Sequence, residues 1–245
     1  MSLTPYLHVD ADLATVAAGT EVALDGEAWR HLRTVLRLAP GAACHVADGA
    51  GSHAPAVLTD DGICLSDDAR TASAPRPRLI VAQALAQGRK FDDVVRDATE
   101  LGADGFVPVT AARSVSRLDG KADKVVARWR AVARAAAEQS RRPWRPEVAD
   151  LTDVAGLAAG PDAAVPVAHP GGEPLHRRGG EVADCGEIVL AVGPEGGWTD
   201  AEIDGLVARG AHLVGLGPSV LRTEHAAAAG LAVLCAVCGR WDGQA

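Results

Sequence analysis

The chain has 245 residues, of which 48% are hydrophobic and 23% charged, and its net charge at pH 7 is −8. This length and apolar content exclude wholesale disorder and suffice for one large core or two smaller ones. The longest apolar run, residues 226–238, is shorter than the roughly 20 residues that span a bilayer, which argues against a membrane protein. Five cysteines, an odd number, and a non-basic N-terminus indicate reduced thiols and a cytoplasmic location.

The first 65 residues alternate short apolar stretches with turns. EVALDG, CHVADGAG and PAVLTDDGICL are typical of strands, because each short apolar run ends at Asp-Gly or Gly pairs. One helix is predicted over residues 27–38, where Pro40-Gly41 stops it and Trp29 and Leu36 face the core. These features predict a small β-barrel-like module. SDDARTASAPRPR, residues 66–78, is the predicted linker that follows it.

After the linker, strands alternate with helices. Apolar runs predict strands at RLIVAQAL, GFVPV, DAAVPVA, EIVLAV and HLVGL. Helices are predicted at KFDDVVRDATEL, KADKVVARWRAVARAAAEQ, TDAEIDGLVARG and SVLRTEHAAAAGLAVLCAVC, the third with a Thr199–Glu202 capping box. Alternation of this kind predicts an α/β domain with a largely parallel sheet that is covered on both faces.

Positive charge is concentrated in residues 121–145. This segment holds eight basic and two acidic residues, net +6, whereas the other 220 residues sum to −14. An acidic protein with one basic segment is expected to have a local anion-binding face. A solvated helix face is the alternative interpretation.

Two junctions between strand and loop carry the strongest site signal. GPEGG, residues 193–197, follows EIVLAV, and GPSVLRTEH, residues 217–225, follows HLVGL. Ligands of open α/β sheets bind at the carboxyl ends of strands, so both loops predict one small-molecule pocket. The run VAHPGG, residues 167–172, also follows an apolar strand and is a third candidate. No P-loop, dinucleotide-binding glycine motif or metal-ligand spacing occurs.

In their order along the chain, these motifs carry a family resemblance. GPEGG followed by LGPSVLRTE is similar to the 16S rRNA (uracil-N(3))-methyltransferases of the RsmE family, in the SPOUT class of knotted methyltransferases. Further similar segments are HLRTVLR at residues 31–37, ATELG at 98–102, RSV at 113–115 and EQSRRPWRPE at 138–147. The resemblance covers nearly the whole chain. The chain departs from the family at residues 4–6, where arginines are common, at Gln87 and at His225.

The resemblance implies a fold and an activity. The implied fold is a PUA-like RNA-binding β-barrel domain, residues 1–73, followed by a SPOUT methyltransferase domain with a C-terminal trefoil knot, residues 74–245. The implied reaction is S-adenosyl-L-methionine-dependent methylation of N3 of a uridine in 16S rRNA of the small ribosomal subunit. A homodimer with cofactor sites at its interface is also implied, with neither a membrane nor a metal as partner.

The residues that the resemblance and the charge pattern assign fall into three groups. The expected catalytic residues are Arg222, Glu224 and Arg142. The expected cofactor-binding residues are His169, Pro170, Gly193, Pro194, Glu195, Gly196, Gly197, Leu216, Gly217, Pro218, Ser219, Val220 and Leu221. The expected RNA-binding residues are Arg30, Arg33, Arg37, Arg113, Arg134, Arg141 and Arg145.

Roles for two of these residues follow from the chemistry. Arg222 could stabilise an oxyanion that develops on uracil, and Glu224 could accept the N3 proton or hold Arg222. A purely structural Arg222–Glu224 ion pair is the alternative. Two other functions remain open for the whole chain: a catalytically silent RNA-binding protein of the same fold, and a small-molecule enzyme that uses the same pocket.

Overall fold

A computed structural model describes residues 4–115, 118, 120–157 and 160–242. The chain divides into two compact units. The first unit consists of residues 4–74 together with Ala137–Arg145, and the second begins at Pro75 and takes up the rest of the chain. The end of the basic segment thus belongs to the first unit, although it lies far along the sequence. None of the helices in these described ranges has the length and hydropathy to cross a membrane.

The first unit is built on a six-stranded sheet. Its strands are β1 Tyr6–His8, β2 Glu21–Ala23, β3 Ala43–Ala47, β4 Ser52–Leu58, β5 Gly62–Leu65 and β6 Arg70–Thr71. The order is β1-β3-β4-β5-β2, with β6 on β4; β1 and β3 are parallel and the other pairs antiparallel. Leu7, Val46, Ala54 and Ile63 are buried in its core. The short apolar runs therefore form strands as predicted.

The helix of the first unit is shorter and less regular than predicted. α1, Gly26–Arg30, continues as a π-helical turn over His31–Val35 and ends there. Arg37 then adopts a left-handed backbone with φ of 54°, which reverses the chain before the predicted helix end. Because of this reversal Leu36 is 41% exposed, so its predicted core position is wrong, whereas Trp29 packs against the core.

The second unit is an α/β domain around an eight-stranded sheet. Its strands are β7 Arg78–Ala84, β8 Gly105–Thr110, β9 Glu147–Val148, β10 Thr152–Asp153, β11 Ala163–Ala164, β12 Pro166–Pro174, β13 Glu187–Val192 and β14 His212–Gly215. They run in the order β10-β8-β7-β13-β12-β14, with β9 on β8 and β11 on β13, and every pair is parallel. The predicted parallel sheet is confirmed.

Helices cover both faces of this sheet. They are α2 Lys90–Leu101, α3 Ala122–Gln139, α4 Gly179–Ala183, α5 Asp200–Ala208 and α6 Thr223–Val237. Successive residues of a strand point to opposite faces. Accordingly, Leu79 of β7 joins a core cluster with Phe91 and Leu231, whereas Ile80 joins a second cluster with Leu206. This two-sided burial explains why the strands read as continuous apolar runs.

Two segments of the second unit differ from the prediction. Residues 167–172 do not form a loop after a strand, because they lie inside β12 as an irregularity. β12 pairs with Val214 of β14 first at Ala168 and again at Glu173, so the residues between them bulge out. The last helix begins at Thr223, four residues later than predicted, because the backbone of its N-cap residue Arg222 is still extended, with φ of −65° and ψ of 152°.

Candidate functional site

The two predicted loops follow two strands on the same side of β7, the inner strand β13 and the edge strand β14. β7 lies between β8 and β13, so the strand order reverses there, and the GPEGG loop follows β13 directly. The LRTE segment follows β14 and opens α6. Ligands of parallel sheets bind at such a reversal, beyond the carboxyl ends of the strands.

A buried hydrogen-bond chain joins the two loops. Thr223 Oγ1 donates to the carbonyl of Gly193 at 2.6 Å and accepts from Gln83 Nε2 at 2.8 Å. Gln83 is fully buried at the end of β7, and Thr223 is 5% exposed. The start of α6 is therefore locked to the first glycine of GPEGG. Gln83 was not predicted as a site residue, although a lone amide in the apolar run RLIVAQAL is a usable signal.

Lys90 lies between two carboxylates of the site. Like Gln83, it was not predicted as a site residue. Lys90 Nζ is 2.8 Å from Glu195 Oε1 and 3.9 Å from Glu224 Oε2. Glu195 Oε1 also accepts from the backbone N–H of Gln87 at 3.1 Å. The hydrogen bond with Glu195 raises the pKa of Lys90. Burial raises the pKa of Glu195, but the bonds from Lys90 and Gln87 outweigh it and hold that pKa below its usual value.

The two expected catalytic residues of α6 have different environments. Arg222 is exposed and is the N-cap residue of the helix, with its carbonyl bonded to the N–H of Ala226. The Glu224 side chain is only 15% exposed, and its Oε2 is buried without a hydrogen-bond partner among residues 4–115, 118, 120–157 and 160–242. Within those ranges its ion-pair partner is Lys90 rather than Arg222, so the structural Arg–Glu pair is absent.

Arg113, which is expected to bind RNA, also contacts the GPEGG loop. Its Nη1 donates to the carbonyls of Gly196 and Trp198, each at 3.0 Å. The backbone N–H of Ala112 donates to Glu202 Oε1 at 2.7 Å, while the other oxygen of Glu202 accepts from Thr199. The loop after β8 thus contacts both the GPEGG loop and the first turn of α5.

The site has groups suited to a nucleoside-like ligand. Residues 217–222 are exposed, and in the described part of the chain nothing hydrogen-bonds to the backbone of residues 217–221. Gln83 Oε1 and Trp198 Nε1 are buried polar atoms that likewise lack a partner within that part. Backbone amides and carbonyls that are free of other bonds can hydrogen-bond to the edge of a heterocycle without any side chain. The loops therefore fit a nucleoside-like ligand. In the β12 bulge, His169 Nδ1 accepts from the N–H of Gly171, and Pro170 is exposed.

Three arginines at the end of the basic segment, Arg141, Arg142 and Arg145, make contacts within the first unit. Arg141 has a left-handed φ of 58°, donates to the carbonyl of Thr4 and lies 5.7 Å over the ring of Tyr6. Burial raises the pKa of Tyr6 to about 12. Arg145 lies 3.9 Å from Asp10, and the carbonyl of Arg142 is 2.8 Å from His8 Nε2.

The other arginines that are expected to bind RNA include Arg30, Arg33 and Arg37 of the first unit and Arg134 of the second. Arg30 and Arg37 are exposed, whereas Arg33 donates to the carbonyl of Leu38 and lies 5.6 Å over Trp29. Arg134 is half-buried in α3. The basic segment is therefore not one continuous helix face, because α3 ends at Gln139 and the arginines beyond it belong to the first unit.

Comparison with known proteins connects this site to a family. The RNA methyltransferase domain family matches residues 73–235. The chain is 38% identical to ribosomal RNA small subunit methyltransferase E of Mycobacterium bovis, over 93% of this chain and 90% of that protein. The enzyme of the same name from Bacillus subtilis is 34% identical over 83% and 85% of the two chains.

A solved structure agrees with these sequence relatives. The ribosomal RNA small subunit methyltransferase E of Neisseria gonorrhoeae, bound to S-adenosyl methionine, is 26% identical and superimposes with a TM-score of 0.84. The match covers 96% of this chain and 98% of that one. The GPEGG and LRTE loops and their parallel sheet lie within the matched family domain. The chain belongs to the ribosomal RNA small subunit methyltransferase E family.

Proposed function

We propose that the protein methylates N3 of a specific uridine in 16S rRNA of the small ribosomal subunit, with S-adenosyl-L-methionine as methyl donor. The observation that carries this proposal is the buried bond between Thr223 and Gly193, which joins the LRTE and GPEGG segments in one site. Membership of the family and the cofactor named for the Neisseria relative support the donor. A cytoplasmic location is part of the same proposal, and an rRNA substrate supports it.

The proposed cofactor residues are those of the two loops and of the β12 bulge. Residues 193–197 and 216–221 would supply backbone donors and acceptors, and His169 and Pro170 would close the site from β12. S-adenosyl-L-methionine supplies a methyl group that its sulfonium already activates. The protein therefore has to align uracil N3 with that group and manage one proton.

The proposed proton acceptor is Glu224, since its buried oxygen has room for a hydrogen bond. Arg222 carries a fixed cation at the start of α6 and would stabilise the charge that appears on the uracil oxygen as N3 loses its proton. We propose that Arg142 acts beside them from a second copy of the chain, in a homodimer with sites at the interface.

Substrate recognition is proposed to rely on phosphates and shape. The second unit would be a SPOUT domain with a trefoil knot, and the first a PUA-like domain that binds RNA. Arg30, Arg33, Arg37, Arg113, Arg134, Arg141 and Arg145 would contact phosphates, and Arg113 also holds the GPEGG loop. Aromatic residues are only 3% of the chain, so a platform for stacking many bases is not expected.

Mass spectrometry of 16S rRNA tests the proposal. A strain without the gene should lack one 3-methyluridine, and the wild-type gene should restore it. Purified protein should also transfer a methyl group from S-adenosyl-L-methionine to small-subunit RNA from that strain. Unchanged 3-methyluridine in the deletion strain would refute the assigned reaction.

A further inference from the structure

Lys90 occupies a position that the proposed reaction does not yet use. It is the first residue of α2, just after the loop that leaves β7, and its side chain is 33% exposed. Its ammonium lies between a carboxylate of the GPEGG loop and a carboxylate of the first turn of α6. Three separate chain segments therefore meet at this one cation.

The two carboxylates are held in different ways. Glu195 receives hydrogen bonds from both Lys90 and the Gln87 backbone, so it is fixed against the loop after β7. Glu224 lies 3.9 Å from Lys90, which is within ion-pair range but beyond a hydrogen bond. Its buried oxygen thus has an attracting cation nearby while its lone pairs remain open to another donor.

The Lys90 ammonium separates the carboxylate of Glu224 from another negative charge. Glu224 faces Lys90, and the same ammonium also interacts with the like-charged Glu195 and with the positive charge of Arg222. Removing Lys90 would leave two carboxylates facing each other in a partly buried site. Like charges at short range repel strongly there, so the Glu224 carboxylate would turn away from its present position.

We infer that Lys90 is a positioning residue for methyl transfer, which holds the Glu224 carboxylate in place through its ammonium, itself hydrogen-bonded to Glu195 of the GPEGG loop. The inference rests on the proposed function. Lys90 itself contacts neither substrate nor cofactor in this role. Its effect therefore passes through Glu224 and should appear in the chemical step rather than in cofactor binding.

The first test compares three variants under single-turnover conditions with small-subunit RNA. Lys90→Met should lower the rate of methyl transfer at least about tenfold, while the Kd for S-adenosyl-L-methionine, measured by calorimetry, changes less than about threefold. Lys90→Arg should recover part of the rate, because it restores a cation. Arg89→Met is the matched control: Arg89 neighbours Lys90 but pairs with Asp92, which keeps its bonds from Arg128 and Trp129.

A double-mutant cycle identifies the route of the effect. If Lys90 acts through Glu224, adding Lys90→Met to Glu224→Gln should change the rate by less than about twofold. The same fold loss in both backgrounds would overturn the inference, and so would a loss confined to cofactor affinity or a rate like that of the wild type. An inactive wild-type protein would instead contradict the proposed function, so the two failures are distinguishable.

Discussion

Arg222 and Glu224 lie two residues apart at the start of α6, yet one is exposed and the other is mostly buried. We predict that Arg222→Ala and Glu224→Ala each reduce methyl transfer by roughly 100-fold or more, the usual effect of losing an electrostatic or acid–base group. Rates are measured with small-subunit RNA, and circular dichroism checks the fold. Arg177→Ala, an exposed arginine outside the site, is the control. Near-wild-type turnover in both variants would remove the two residues from the catalytic role.

Gly196 illustrates how a single missing side chain shapes the loop. A Cβ at this position would lie 3.1 Å from Cβ of Arg113, so a larger side chain must push away the residue that holds the loop. We predict that Gly196→Val abolishes S-adenosyl-L-methionine binding while thermal unfolding stays cooperative. Calorimetry measures the binding. Retained binding would mean that the glycine serves only the turn.

At the scale of elements, the start of α5 depends on the capping box of Thr199 and Glu202. Both of its bonds are present, and Glu202 also accepts from Ala112. Burial raises the pKa of Glu202, but these hydrogen bonds outweigh it and hold the pKa below its usual value. A carboxylate of this kind stabilises the fold above its unfolded-state pKa of about 4.3, and the contribution disappears as the pH falls through the folded-state pKa.

We therefore predict that Glu202→Gln costs about 1 kcal/mol at pH 7, the usual loss for a helix cap. The difference in unfolding free energy between the variant and the wild type should shrink as the pH falls below about 4, because protonation removes the same charge from the wild type. Thermal melts from pH 7 to pH 3 measure it, with Asp200→Asn as the control, an exposed acid of the same helix turn. A stability difference that stays constant across this pH range would contradict the stabilising role of the Glu202 charge.

At the scale of the whole molecule, α6 has an apolar side that a second copy of the chain would cover in a homodimer. On one side of α6 the residues Ala227, Leu231, Leu234 and Cys235 are buried. On the other side Ala228, Ala229 and Ala232 are only partly buried. We predict a homodimer whose sites combine Arg142 of one chain with Arg222 of the other. Light scattering measures the oligomeric state.

Mixing two inactive variants, Arg142→Ala and Arg222→Ala, tests the shared site. Heterodimers should regain one working site in two, because one of their sites receives both native arginines. Subunit exchange is verified with differently tagged chains. Exchange without recovered activity would rule out a shared site, and a monomer at working concentration would rule out the dimer as well.

Local sequence determined several elements of this protein and the two loops of the candidate site. α2 and the strand Glu187–Val192 lie where their patterns predict them, and the Thr199–Glu202 capping box forms, because neighbouring residues decide such features. GPEGG and LRTE were recognisable as motifs in the same way. These patterns also predicted a parallel sheet with both faces covered.

Only the tertiary structure decided which side chains meet at the site. Gln83 and Thr223 are 140 residues apart, and Lys90 and Glu195 are 105 apart, so no local pattern reports their contacts. The membership of Ala137–Arg145 in the first unit and the bulge in β12 likewise depend on packing between distant segments. Periodicity shows which face of an element is buried, but the neighbour that buries it is chosen by long-range packing and strand register.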